Sequence, residues 1–426
     1  MIFSHTKLKF AVVALSLFSL TACQDSNDTQ VNSSTKQEVS DKNISAQAIT
    51  KKYIITDTHI DVPYRLEEAF DDVSQATEKG DFDYPRSVSG GLDAPFMSIY
   101  IPAELEAQGS GSKELADKLI DMVEGIVSNA PKKFALAYSV EQMKNNFENG
   151  IMSLPMGMEN GSPIEGKMEN LDYFYKRGIR YITLTHSKAN HISDSSYDES
   201  RPAKGLTDFG KELIVEMNNI GMMVDVSHIS DDAFYQVMEI SQVPVIASHS
   251  SARHFTPGFE RNMSDDMIQL LAKNGGVIQI NFGSTFVTQK SIDNNNTFKA
   301  ARSEFMKSNG FEQDSDEVKT FTKNYREKIP FEFATLNDVL DHFDHVVKIA
   351  GIDYVGIGSD YDGVGDTLPV DLKDVSTYPN LVQGFLDRGY SEQDIEKILS
   401  GNLIRVWKQV EEYSEQQKTQ AKVTAE

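Results

Sequence analysis

Apolar runs of strand length recur along the chain at Tyr53 to Ile55, Pro95 to Ile101, Phe134 to Tyr138, Ile151 to Met156, Ile179 to Leu184, Met222 to Val226, Val243 to Ala247, Val277 to Ile280 and Tyr354 to Ile357. Many are followed by stretches with helical spacing of apolar positions, among them Ser139 to Phe147, Asp208 to Ile220, Ser230 to Ile240, Ser264 to Lys273 and Leu336 to Ile349. Strand alternating with helix implies a parallel sheet. The fold class expected is α/β, a (β/α)8 TIM-type barrel with loop insertions, and one of the nine strand candidates has to lie outside it. The spans 65–93 and 286–332 are charged and lack clean periodicity, so they read as insertions, partly helical, over the mouth of the barrel.

The chain ends are of another kind. Lys7 and Lys9 precede an uncharged run from Phe10 to Ala22 that is too short to span a membrane, which is the pattern of an export signal. Its end, Leu20-Thr21-Ala22-Cys23, resembles a bacterial lipobox, with Cys23 as the lipidation site. Cys23 is the single cysteine of the chain, and its acylation would leave a mature domain without thiols. Residues 24–50 are polar with almost nothing to bury, and read as a flexible tether. The expected organisation is thus a lipoprotein signal peptide at 1–22, a tether at 23–50, one barrel domain at 51–413 and a frayed polar tail at 414–426. Gln24 follows the cysteine where an inner-membrane retention signal would place Asp, so the expected location is the cell envelope of a Gram-negative-type bacterium, facing the periplasm or on the outer membrane. The formal charge of −23, or −25 once Lys7 and Lys9 leave with the signal, repels phosphate backbones and argues against nucleic acid as a partner.

The chemistry gathers where predicted strands end. Met222 to Val226 and Val243 to Ala247 each run into a Ser-His pair, placing His228 and His249 one strand-helix-strand repeat apart. Neighbouring parallel strands lie about 4.8 Å apart, so residues just past their carboxyl ends can converge on one ion. The first strand is followed by Asp57-Thr58-His59-Ile60-Asp61, in which alternate side chains share a face and His59 with Asp61 makes a compact N/O ligand pair. Ile151 to Met158 ends in Glu159, a carboxylate that must be paired or metal-bound at the mouth of the barrel and that has two oxygens with which to bridge two cations. Arg180-Tyr181-Ile182-Thr183-Leu184-Thr185-His186 supplies another strand-end histidine, and Val355 to Gly363 carries Asp360, placed to pass a proton to and from a metal-bound water. Of nine histidines, the remaining five (His5, His191, His254, His342 and His345) read as structural or solvated.

In order and spacing these motifs resemble the membrane (renal-type) dipeptidase family of zinc metallopeptidases, over roughly residues 51 to 410. Arg261-Asn262 and Gly401-Asn402-Leu403-Ile404-Arg405-Val406-Trp407 extend the likeness. The resemblance implies two Zn2+ ions per chain bridged by Glu159, one held by His59 and Asp61 and the other by His228 and His249. It further implies that His186 contacts the substrate near the scissile carbonyl, that Arg261 binds the terminal carboxylate of a dipeptide, that Asp360 handles protons, and that the protein is a homodimer. A hydroxide between two cations is nucleophilic at neutral pH, and the metals with His186 can stabilise the tetrahedral oxyanion. Two departures stand out: Phe286 occupies the place of a tyrosine that helps bind the carboxylate in some members, and Asn160 replaces a glycine after Glu159. The expected function is zinc-dependent dipeptide hydrolysis at the envelope. Competing readings are a related amidohydrolase acting on another small amide or lactam, and a non-catalytic binding lipoprotein, against which the full set of ligands argues.

Overall fold

A computed structural model describes residues 45–425, with side chains to 422; the export-signal segment, Cys23 and most of the expected tether lie outside the described residues. Eight parallel strands follow one another around a barrel: β1 (Thr56–Ile60), β2 (Ala94–Tyr100), β3 (Met156–Glu159), β4 (Ile179–Thr183), β5 (Met223–Asp225), β6 (Ile246–Ala247), β7 (Val277–Ile280) and β8 (Val355–Ile357). Each is hydrogen-bonded to the next in sequence, and the ring closes through a bridge between Ile60 and Tyr361. Outside the barrel lie the candidate strand Phe134 to Tyr138 and most of the candidate Ile151 to Met156, whose apolar run reaches the barrel only from Met156 onward. They form a separate two-stranded sheet, Phe134–Leu136 beside Met152–Leu154.

The crossover helices form where polar side chains cap them. Thr207, Ser230 and Ser264 each accept a hydrogen bond from the backbone N–H three residues on, fixing the starts of Asp208–Ile220, Asp231–Ile240 and Asp265–Asn274. Thr335 and Asp338 form a reciprocal capping box at the start of Leu336–Ile349. The span 286–332 is more helical than expected, with Gln289–Asn309 and Asp316–Lys328 in it, yet the first of these buries only Ser291 and Phe298.

Three expectations change. The first barrel strand is Thr56–Ile60 and not the apolar Tyr53 to Ile55, because its hydroxyl and carboxylate groups find partners inside the protein: Thr56 Oγ1 donates to Leu399 O at 3.0 Å and Thr58 Oγ1 to Ile357 O at 3.1 Å, for example. The helix Ala46–Lys52 begins within the supposed tether and buries Ala46, Ile49 and Thr50. The supposed tail continues the helix Asn402–Ala425, and Ser414 at its start is buried.

That last helix seals the amino-terminal end of the barrel. Leu403, Val406, Trp407 and Val410 pack in one buried cluster with Ala94, Phe96, Tyr181, Met223, Ile246 and Val277 from the strands. The Trp407 ring lies 5.4 Å from that of Phe96, which lies 5.7 Å from that of Tyr181. Trp407→Ala removes the largest side chain of this plug and should destabilise the fold by about 3–5 kcal/mol, measured as a lowered urea midpoint with the slope unchanged.

Candidate metal centre

At the carboxyl ends of the strands the barrel gathers four imidazoles around the carboxylate of Glu159, with the buried Asp61 and Asp360 beside them. Glu159 is the last residue of β3 and is 4% exposed. Its Oε1 lies 3.0 Å from His228 Nε2 and 3.2 Å from His249 Nε2, whereas its Oε2 lies 3.4 Å from His59 Nε2. His59 Nε2 is also 3.4 Å from Asp61 Oδ2, and His186 Nε2 is 3.9 Å from Glu159 Oε1. The two oxygens of one carboxylate thus face two different sets of ring nitrogens.

The far sides of the His59 and His249 rings are tied down, which fixes where their lone pairs point, and His228 is fixed from the near side by Arg261. Tyr181 donates its hydroxyl proton to Thr58 O at 2.8 Å, so the 2.9 Å contact with His59 Nδ1 is a bond that the ring donates. Ser248 donates to Asp225 Oδ2 at 2.5 Å and therefore accepts from His249 Nδ1 at 2.8 Å. Asp225 is itself held by the N–H groups of Ser227 at 3.0 Å and Ser248 at 2.8 Å. Arg261 Nη2 donates to His228 Nε2 at 3.0 Å. In their neutral forms all three histidines accordingly turn an unprotonated Nε2 towards Glu159; burial lowers the His59 pKa, but Tyr181, Glu159 and Asp61 outweigh it and raise it well above the ordinary value, so its Nε2 takes a proton where no cation stands. His228 Nε2 and His249 Nε2 approach to 2.9 Å, and His59 Nε2, though buried, has no hydrogen-bond partner.

Lone pairs facing lone pairs and carboxylate oxygens are repulsive unless a cation lies among them. Ligand-capable atoms lie within 4.8 Å of one another in three groups here: His59 with Glu159 and His249, Glu159 with His186 and His228, and His59 with Asp61 and Asp360. The N/O donor set, the orphaned nitrogen and the outer hydrogen bonds fit metal binding. Burial, and then the charges of Arg261 and His186, push the His228 imidazole well below its ordinary pKa; burial, His59 and Arg261 do the same to His249. Both rings are neutral at pH 7, the form that binds a cation. Burial works the other way on Glu159, but the electrostatic pull of His59 and His186 and the close approach of His228 and His249 hold its carboxyl well below the usual range.

Asp360 follows β8 with φ 64°, a left-handed conformation that brings its carboxylate back over the barrel. Its Oδ2 accepts from Asn281 Nδ2 at 2.7 Å. Burial pushes the carboxyl up to about 7, opposed by His59 and reinforced by Asp61 and Glu159. Arg261, 3% exposed, donates to Ser250 Oγ at 2.8 Å and His249 O at 2.7 Å, and its guanidinium lies 5.4 Å from the centroid of the Phe286 ring. Phe286 stands beside Phe259, which stands beside Tyr197, making an aromatic edge on the Arg261 side of the site.

The structure therefore brings together His59, Asp61, Glu159, His186, His228, His249, Arg261, Phe286 and Asp360. Asp57 does not share their face: it accepts from Ser359 N–H at 3.0 Å, His59 N–H at 3.1 Å and the Tyr378 hydroxyl, because the β1–β2 register shifts between Asp57 and Ile60 and breaks the alternation. Sequence reasoning missed Tyr181, Asp225, Ser248 and Asn281. Asp225 carried a usable signal, a charge within an otherwise apolar strand. Of the other histidines, His342 is fully satisfied between Ala252 N–H at 3.0 Å and Val287 O at 2.9 Å, and His191 lies 3.0 Å from Glu106. His345 pairs with Asp265 at 2.8 Å and stacks on His254 at 4.2 Å, away from the barrel mouth.

The family model of membrane dipeptidases, peptidase family M19, matches residues 44–421. Dipeptidase 3 of Mus musculus is 32% identical over 387 residues, which cover 89% of this chain and 69% of that protein. Dipeptidase 3 of Homo sapiens is 30% identical over 390 residues, covering 89% and 70%. Among solved structures, the probable dipeptidase PvdM from Pseudomonas aeruginosa superposes with a TM-score of 0.74 at 26% identity, covering 86% of this chain and 98% of that one. A metallopeptidase from Rhodobacter sphaeroides, liganded with a phosphinate mimic of the dipeptide L-Ala-D-Ala, has the same fold, with a TM-score of 0.68 at 22% identity over 84% of this chain and 99% of that one. With the barrel, the buried ligand set and these relatives in agreement, the chain belongs to the membrane dipeptidase family of metallopeptidases, peptidase family M19.

Proposed function

We propose that this metallo-dipeptidase hydrolyses dipeptides with two zinc ions, for which His59 and Asp61, and His228 and His249, would be the ligands and Glu159 a ligand shared by both. The observation that carries the reading is the division of Glu159, Oε2 towards His59 and Oε1 towards His228 and His249. Zinc in such a site supplies a nucleophilic water at neutral pH and polarises the scissile carbonyl.

The rest falls to the side chains. Asp360, with a pKa of about 7 and a carboxylate fixed by Asn281, takes the proton of the attacking water and delivers it to the leaving amine. His186 is neutral, its pKa lowered chiefly by burial, so its ring N–H can donate to the oxygen that becomes negative in the tetrahedral state. Arg261 presents a fork to the carboxylate of the second residue and thereby sets substrate length. Phe286 has no hydroxyl to share that task, which leaves the recognition to Arg261. The mature protein is anchored by acyl chains on Cys23 in the envelope of a Gram-negative-type bacterium, and it is a homodimer; the cysteine context and the family likeness support these two readings.

Chelation should abolish dipeptide hydrolysis and added Zn2+ should restore it. His228→Ala or His249→Ala should lower both metal content and rate, while Asp360→Asn, which keeps shape but accepts no proton, should retain close to two zinc ions and lose about 10²-fold or more in kcat. Metal analysis beside steady-state kinetics checks this; zinc loss in Asp360→Asn would make Asp360 a ligand. Arg261→Ala should raise KM for dipeptides, and dipeptide amides should be poor substrates of the unmodified enzyme; equal rates on amides and free dipeptides would remove Arg261 as the ruler and favour a broader amidohydrolase. Cys23→Ser should move the exported protein from the membrane to the soluble fraction, and continued membrane fractionation would refute the anchor.

A further inference from the structure

The barrel closes at one seam, between β8 and β1, and among the described residues the ladder there is a single bridge, Ile60 to Tyr361. Asp61 N–H donates to Tyr361 O at 2.9 Å and Asp360 N–H to His59 O at 3.1 Å. One side of the seam carries His59 and Asp61; the other carries Asp360. Any slack between these strands changes the distance from Asp360 to the metal ligands.

Beyond β8 the backbone takes a shape that needs external support. Asp360 and Asp362 have φ of 64° and 65°, a region L residues occupy when their surroundings hold them there. Gly363 follows, and a Cβ on it would lie 2.2 Å from Asp61 Oδ2 and 2.3 Å from Asp360 Oδ1. The turn is therefore packed directly against both carboxylates.

What holds it comes from the insertion after β1. Asp362 Oδ1 accepts from Asp81 N–H at 2.6 Å, and Asp362 N–H donates to Asp81 Oδ2 at 2.9 Å, so each aspartate satisfies the backbone of the other. Asp362 Oδ2 accepts from Arg65 Nε at 2.9 Å, in a pair whose carboxylate is 1% exposed. Arg65 sits one helical turn past Asp61, its N–H bonded to Asp61 O at 3.1 Å, and its Nη2 donates to Phe82 O at 3.2 Å. Gly80, at φ 73°, leaves room for that guanidinium, since a Cβ there would fall 2.4 Å from its carbon. Breaking one partner of such a buried pair leaves the other uncompensated.

We propose that Arg65, Asp81 and Asp362 form a clamp across the β8–β1 seam that positions Asp360 against His59 and Asp61, making all three positioning residues for hydrolysis. The inference rests on the proposed role of Asp360, and it gives the charged span 65–93 a task in the reaction.

The test compares Asp81→Ala with Asp81→Asn. The alanine variant removes the acceptor for Asp362 N–H, whereas the carboxamide oxygen of asparagine still provides one. Asp81→Ala should lower kcat roughly tenfold with KM within about twofold of the parent, as expected for a displaced proton-transfer group. Asp81→Asn should stay within about twofold in both. Hydrogen exchange of peptides covering residues 358–365 should quicken in Asp81→Ala and not in Asp81→Asn. Should Asp81→Ala fail to fold, Arg65→Gln breaks one bond of the clamp and should show the same split between kcat and KM. An unchanged kcat, unchanged exchange, or an Asp81→Asn enzyme as impaired as Asp81→Ala would overturn the clamp. If the parent protein cleaves no dipeptide, the proposed function fails on its own, and the exchange comparison still decides whether the clamp holds the turn.

Discussion

The buried carboxylate of Glu159 is the constraint around which this site is built. Desolvating a carboxylate costs several kcal/mol unless positive charge and hydrogen bonds compensate it. Here the groups around Glu159 are ring nitrogens whose protons, in the neutral rings, have been drawn to the other side, by Tyr181 for His59 and by Ser248 with Asp225 for His249. Such an arrangement is unfavourable without a cation and favourable with one. The outer bonds are therefore part of the site: they select the tautomers that make Nε2 a ligand.

Those bonds need fixed anchor points, and the barrel interior provides them. Tyr181 reaches from the plug of the final helix, where it packs beside Phe96 and Trp407, up to His59. Gly157 on β3 makes room for it, because a Cβ there would fall 1.9 Å from the tyrosine ring. One column of aromatic side chains thus connects the sealed end of the barrel to His59, a proposed metal ligand, at the open end. Ser248, on the strand-end segment carrying His249, performs the corresponding task through Asp225 on β5.

The alternation of apolar runs with capped helices made the barrel legible, since buried parallel strands and their crossovers leave that period in the sequence. The strand-end histidines were legible for the same reason. What misled was polarity: the apolar Tyr53 to Ile55 marked the first strand and Asp57 to Asp61 only its extended end, yet the strand itself is Thr56–Ile60, because the polar groups of a barrel mouth bond one another inside. The alternation rule also failed at Asp57, where a register shift turns the carboxylate towards Ser359 and Tyr378. Tyr181 and Asn281 were out of reach because their roles depend on partners more than 75 residues away in sequence, His59 and Asp360.

Arg261 joins metal binding to substrate recognition on the proposed reading. Its Nη2 donates both to His249 O at 2.7 Å and to His228 Nε2 at 3.0 Å, while its Nε has no partner. A cation held by His228 Nε2 would use the lone pair that the second of these bonds needs, which would leave one Arg261 N–H free. That freed donor and Nε form an edge able to meet a carboxylate with two bonds. The ring of Phe286, 5.4 Å away, keeps the guanidinium partly shielded from water without competing for those donors. On that reading metal binding and carboxylate recognition would be linked through one histidine nitrogen, His228 Nε2.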